Sequence, residues 1–105
     1  MPQPDSVSAG GFIYLNATAA SNLRGDVPAQ TAAVLERARE VLAAAGSSLD
    51  RVVKVTVLLA RPDLYREMNE AYAEFFPGPK PARAMVRFGA DIPGVLVAIE
   101  AIALV

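Results

Sequence analysis

Val95-Leu96-Val97-Ala98-Ile99-Glu100-Ala101-Ile102-Ala103, with Pro81-Ala82-Arg83-Ala84-Met85-Val86 shortly before it, is the stretch on which the fold turns. Along a strand, successive side chains point to opposite faces. Val95, Val97, Ile99, Ala101 and Ala103 then line one side, and Leu96, Ala98, Ile102 and Leu104 line the other, interrupted only by Glu100. One face can pack on helices of the same chain. The second has no cover within so short a chain, and a neighbouring copy is the simplest one, so the pattern predicts an obligate oligomer. Arg83 places one cation beside this apolar surface, which suggests an anion-binding site at a subunit boundary.

Working outward, Val7 to Ala17 reads as a hairpin turning at Gly10-Gly11, with the strand formers Phe12-Ile13-Tyr14-Leu15 after the turn. Thr18 to Val27 reads as a loop of small and polar residues. Asp26 and Pro28 open a helix, as cap and first-turn proline. Its apolar stripe is Val34, Leu35, Ala38, Val41, Leu42 and Ala45, and Gly46 ends it. Glu36, Arg37, Arg39 and Glu40 fall on its solvated side. Val52 to Ala60 is a strand, with Val53, Val55, Val57 and Leu59 on one side and Val52, Lys54, Thr56 and Leu58 on the other. Pro62 opens a second helix with the stripe Leu64, Met68, Ala71, Tyr72 and Phe75. Pro77-Gly78-Pro79-Lys80-Pro81 forces a stiff turn, and strands follow at about Ala82–Phe88 and Gly94–Val105, joined around Asp91 to Pro93. The order β-β-α-β-α-β-β is that of an α+β two-layer sandwich, two helices on one face of a sheet.

At 105 residues, without repeat, linker or charge block, the chain is expected to form a single domain, 1–105. Its hydrophobic content of 53% exceeds the usual range of about 45–50%, which again suggests burial against another subunit. No apolar run approaches the ~18 residues of a membrane span, and no leader pattern precedes Gly10, so a soluble cytoplasmic protein without membrane contact is expected. Zero cysteines exclude disulfides and thiol catalysis. Zero histidines close ordinary zinc sites and Ser-His-Asp chemistry. A net charge of −1 gives no basic field for nucleic acid. Neither metal nor cofactor is expected. Carboxylate, arginine, hydroxyl, amide and backbone chemistry remain.

Five segments together carry a family resemblance over essentially the whole chain. They are Ala9-Gly10-Gly11-Phe12-Ile13-Tyr14, the junction from Ala44-Ala45-Gly46 to Val55-Thr56-Val57, Met68-Asn69-Glu70-Ala71-Tyr72-Ala73-Glu74-Phe75-Phe76, Pro81-Ala82-Arg83, and Ile99-Glu100-Ala101-Ile102-Ala103. In them the chain resembles the reactive intermediate deaminase family (Rid or YjgF, some members being described as endoribonuclease L-PSP). The resemblance implies a chorismate-mutase-like subunit in a homotrimer with three clefts between subunits. It also implies a small carboxylate-bearing substrate: an arginine holds a 2-imino or 2-enamino acid, water attacks C2, and ammonia leaves a 2-keto acid. Arg83 matches that arginine, and a guanidinium suits the task because it is always charged and bonds both carboxylate oxygens.

Elsewhere the family's pattern is altered. The glutamate that handles water falls at Ala98, the early tyrosine at Gln3, the Ser-Gly pair at Asn16-Ala17 and the cysteine at Met85, while Asn69 is retained. Glu100 projects from the same strand face as Ala98, roughly 7 Å along; it is either a substitute base or a group satisfying buried partners. Arg87 shares a strand face with Arg83 and Met85. Asn16 offers an amide to a ligand or stabilises a turn, Asn69 touches a ligand or caps backbone, and Met85 narrows the cleft or simply packs. Tyr14 and Phe88 are groups that an adjacent copy could contribute. Three functions remain open: a divergent imine or enamine deaminase, a biosynthetic accessory enzyme whose cleft protects an unsaturated acid from hydrolysis, and a non-catalytic binder of small carboxylates.

Overall fold

The computed structural model describes residues 4–20, 25–87 and 93–105; Gln3, Phe88 and Asp91, singled out above, lie outside them. The first hairpin joins β1 (Ser6–Ala9) to β2 (Phe12–Ala19) through Gly10 and Gly11. Both glycines have positive φ, 59° and 86°, as a two-residue turn matched to strand twist requires. Strand β2 continues through Thr18 to Ala19, where the sequence suggested a loop, because Thr18 and Ala19 pair with Ile99 and Ala98 of the last strand. One extra residue between Leu15 and Thr18 makes a bulge there.

Helix α1 (Val27–Ala44) starts where its sequence says it should: the Asp26 carboxylate accepts from the Ala29 N–H at 3.0 Å. It stops at Gly46 (φ 86°), where the Ser47 N–H reaches the Leu42 carbonyl and the Gly46 N–H that of Ala43. The stripe from Val34 to Leu42 is buried, Ala45 partly so. Thr31 and Gln30 are buried on the same helix without being apolar. The Thr31 hydroxyl donates to the Val27 carbonyl at 2.7 Å. The Gln30 amide donates to the Gly94 and Gly25 carbonyls and accepts from the Leu96 N–H. That clamp holds residues 94–96 by side-chain bonds, so the last strand, β5 (Val97–Leu104), starts later than the apolar run suggests.

Strand β3 (Val52–Leu59) alternates as expected only from Lys54 onward. Val52 pairs with Ala103 and Lys54 with Ile102, leaving Val53 as a bulged residue. The bulge exchanges the expected faces of the first two residues: Val52 is buried and Val53 is 40% exposed. Pro62 opens a 3₁₀ turn, Pro62–Leu64, rather than the α-helix itself, and α2 runs Tyr65–Phe75. Strand β4 (Ala82–Arg87) pairs with β3 in parallel, the only parallel pairing in the described sheet.

The sheet order is β1-β2-β5-β3-β4, and the protein is an α+β two-layer sandwich. Helix α1 lies across β2 and β5 and packs against α2. Between helices and sheet, Ile13, Leu35, Leu42, Val55, Val57, Met68 and Val97 form the fully buried centre of one core. The opposite sheet face carries Phe12, Tyr14 and Leu104 exposed, with Leu58 and Ile102 half-buried.

Candidate functional site

Arg83 is the second residue of β4. Its ladder partner, Val55, points into the core, so Arg83 also points to the helix side of the sheet. Across from it, α2 presents Tyr65, Asn69 and Tyr72, whose spacing of four and then three residues puts them on one helical face. Arg83 Nη1 donates to Asn69 Oδ1 at 2.7 Å and Nη2 to the Tyr65 hydroxyl at 3.1 Å. The guanidinium carbon lies 4.8 Å from the centre of the Tyr72 ring and 5.8 Å from that of Tyr65. Aromatic faces attract a cation at such distances without neutralising it.

The charge of Arg83 is therefore held entirely by uncharged groups. Arg37, Arg39, Arg61 and Arg66 each meet a carboxylate, whereas Arg83 meets none among the described residues. Only two of its N–H groups are engaged, and the rest can bind both oxygens of an incoming carboxylate. Tyr72 is 3% exposed, and its hydroxyl lacks a hydrogen-bond partner among the described residues. Burial raises its pKa above the ordinary phenol value, opposed by the positive charge of Arg83. A neutral phenol is the result.

Met85 follows on the same strand face, packed against the core. With Leu59, Pro62, Tyr65, Val86 and Arg87 it lines an open pocket of about 290 Å³. Arg83 and Asn69, both marked by the family resemblance, thus meet directly, with Met85, marked by the same resemblance, beside them on the strand. Tyr65 and Tyr72 complete the group. Sequence reading had given Tyr72 to the core stripe and passed over Tyr65, yet their spacing around Asn69 on the same helix face carried the signal.

The other candidates lie elsewhere. Ile99 points into the core, so Ala98 and Glu100 point to the open face, away from Arg83. Within one chain, then, Glu100 does not share a cleft with Arg83. Strands β2 and β4 are three places apart in the sheet, roughly 14 Å. Glu100 sits opposite Thr56 and, with Tyr14, Asn16, Ser6 and Val7, lines a second pocket of about 280 Å³. It makes no ion pair or side-chain hydrogen bond among the described residues. Asn16 and Ala17 form the β2 bulge: Asn16 Oδ1 accepts from the Ala17 N–H at 3.0 Å, and the Thr18 hydroxyl donates to the Asn16 carbonyl at 2.9 Å. The turn-stabilising reading of Asn16 has that support, while its amide NH₂ donates to no group among the described residues. Ala98, 5% exposed, lies between Leu58 and Ala19.

Residues 4–105 match the family described as Endoribonuclease L-PSP. A RutC family protein of Pyrococcus horikoshii is 39% identical over 108 residues, covering 97% of this chain and 86% of the relative. The mitochondrial protein mmf2 of Schizosaccharomyces pombe is 39% identical over 92 residues, 84% of this chain and 73% of its own length. Among solved structures, one of a conserved Rid family protein from Yersinia pestis superposes with a TM-score of 0.92 at 32% identity, covering 99% of this chain and 88% of that one. A YjgF family member from Mycobacterium tuberculosis gives 0.87 at 34% identity, with 96% and 85% covered.

Proposed function

This chain belongs to the endoribonuclease L-PSP family, also known as YjgF or Rid, and from that membership we propose a small-molecule enzyme acting on 2-imino or 2-enamino acids. Arg83 anchors the substrate carboxylate, water adds to C2, and collapse of the carbinolamine expels ammonia and leaves the 2-keto acid. One observation carries the reading: a half-buried guanidinium, positioned by Asn69 and Tyr65 and backed by Tyr72, without a carboxylate of its own among the described residues. The fixed fork orients C2 of the bound imine for attack, which favours the step even when little acid or base chemistry is supplied.

The division of candidates between two sheet faces supports assembly with a neighbouring copy, and the family resemblance implies that this assembly is a homotrimer. The open face needs an apolar cover, and a neighbour that supplies it brings its own Asn16, Tyr14 and Glu100 toward a boundary between copies. Glu100 is the carboxylate available there for handling water, in place of the glutamate that Ala98 replaces. Cleavage of RNA is disfavoured by the absence of histidine and by the net charge of −1.

The test is release of keto acid from freshly generated 2-iminopropanoate, comparing the protein with Arg83→Ala at equal oligomeric state by light scattering. Loss of at least about a hundredfold in kcat/KM is expected, since two charge-assisted hydrogen bonds of roughly 1.5–3 kcal/mol each disappear. Equal acceleration by both proteins rejects Arg83 as the anchor. A second reading, a cleft that binds an acid without hydrolysing it, is favoured by one feature, the methyl of Ala98 where the family places a water-handling carboxylate. Saturable binding that depends on Arg83, with no turnover by either protein, selects it.

A further inference from the structure

We infer that Tyr65 is a catalytic residue of this site, its hydroxyl handing a proton to the nitrogen that leaves C2. The inference rests on Arg83 being the carboxylate anchor of an imine hydrolase. Tyr65 is the first residue of α2 and follows directly on the 3₁₀ turn Pro62–Leu64, whose Leu64 is buried in the core. The Tyr65 side chain itself is 44% exposed, so it stands at the mouth of the site, within reach of a ligand. Its hydroxyl accepts from Arg83 Nη2 at 3.1 Å and donates to no group among the described residues. Accepting from a cation polarises an O–H bond and makes it a better donor. Of the three side chains that touch Arg83, Asn69 carries no acidic proton and Tyr72 is 3% exposed, which leaves Tyr65 as the acid a substrate can meet.

Geometry brings that donor to the reacting carbon. The second N–H of Nη2 is unengaged among the described residues and is open to a carboxylate oxygen. Two acceptors on one planar NH₂, each about 3 Å from the nitrogen and about 120° apart, lie about 5 Å from each other. The carboxylate oxygen is then about 5 Å from the Tyr65 oxygen, and a nitrogen on C2 stands about 2.7 Å beyond that carboxylate oxygen. Turned toward α2, this nitrogen comes within about 3 Å of the hydroxyl, the reach a general acid needs. Once water has added to C2, the C2–N bond breaks with its electron pair on nitrogen, which takes the Tyr65 proton and leaves as ammonia. The carbinolamine hydroxyl returns a proton to the phenolate while its O–H electrons become the C2 carbonyl. Phenols and alkylammonium groups as classes lose protons in the same range, near pH ~10, so the transfer is not steeply uphill. The Arg83 cation faces the transient phenolate across the same 3.1 Å.

Keto-acid release from 2-iminopropanoate, read beside pyruvate binding by titration calorimetry on the intact assembly, separates proton transfer from mere positioning of Arg83. Tyr65→Phe is expected to lower kcat about a hundredfold and to change pyruvate affinity by less than about threefold, since Arg83 keeps Asn69 and the Tyr72 ring. Replacing Tyr65 with 3-fluorotyrosine, nearly isosteric but more acidic, is expected to raise kcat about threefold, as Brønsted behaviour requires. Full kcat in Tyr65→Phe, pyruvate affinity lost together with kcat, or a kcat indifferent to fluorination each overturns the acid role; with Arg83→Ala losing both binding and turnover, the anchor still stands. Absence of turnover by the wild type, or turnover unchanged in Arg83→Ala, overturns the proposed function and the acid with it.

Discussion

Replacing Tyr72 with phenylalanine is expected to stabilise the protein, although it removes a polar group beside the proposed anchor. The Tyr72 hydroxyl is buried without a partner among the described residues, and the desolvation of such a group costs about 1–3 kcal/mol. Phenylalanine retains the ring, its contact with Phe76 at 4.8 Å between centroids and the face beneath Arg83. The void left by one oxygen, about 10–15 Å³, costs only about 0.3 kcal/mol at roughly 24 cal/mol per Å³. A net gain of about 1 kcal/mol or more follows. Urea unfolding at fixed protomer concentration reads it as a midpoint increase of about 0.5 M, because m-values for small domains are about 1–3 kcal/mol per M. A pH series adds an independent check. With a folded pKa above the ordinary phenol value of 10.0, Tyr72 stays protonated in the native state while the unfolded chain ionises. Wild-type stability is therefore unaffected by this group below about pH 10 and declines above it, so the advantage of Tyr72→Phe widens in alkali. Destabilisation by 1 kcal/mol or more, with no alkaline divergence, would refute the reasoning and mean that the hydroxyl is hydrogen-bonded in the assembled protein.

Three further substitutions examine other steps. Gln30→Leu keeps the bulk of a side chain that is 1% exposed but strands the Leu96 N–H and the Gly94 carbonyl, so a loss of about 2–4 kcal/mol in urea unfolding is expected. Asp26→Ala removes the cap of α1 and is expected to cost about 1 kcal/mol by the same assay, with Asp26→Asn nearly neutral. Ala98→Glu places a carboxylate where the family has its water-handling group; keto-acid release is expected to rise by at least about tenfold, part of the roughly 10²–10⁴ that a positioned acid or base contributes. No rise in an intact oligomer would show that water is handled elsewhere in the cleft.

Apolar periodicity made most of the fold legible because its cause is local. The stripe of α1, the glycine pair of the first hairpin and the two-sided last strand each follow from spacing along one segment. What stayed hidden depends on a partner. The Val53 bulge exists because β3 must keep register with β5, and no pattern within residues 52–60 announces it. The extension of β2 to Ala19 is likewise set by Ile99 and Ala98 across the ladder. Gln30 looked like an ordinary polar residue at the start of a helix, since two of its three bonding partners, Gly94 and Leu96, lie more than sixty residues away.

The site divides in the same way. Arg83, Asn69 and Met85 were legible because the family pattern and the chemistry of arginine both mark them, and the chain brings them together by packing α2 over β4. Glu100 was legible as a carboxylate but not as a neighbour, because strand alternation fixes which face it takes and not what that face meets. Its open face also displays Phe12, Tyr14 and Leu104, side chains that water hydrates poorly. The force that covers such a face is hydrophobic and indifferent to chemistry, yet under the proposed reading it also carries Asn16 and Glu100 to the boundary where a second copy offers Arg83. Assembly and catalysis then depend on the same surface. A substitution such as Tyr14→Glu that keeps copies apart should abolish imine hydrolysis while leaving Arg83, Asn69 and Tyr65 in place, and activity that survives in a monomer would separate the two.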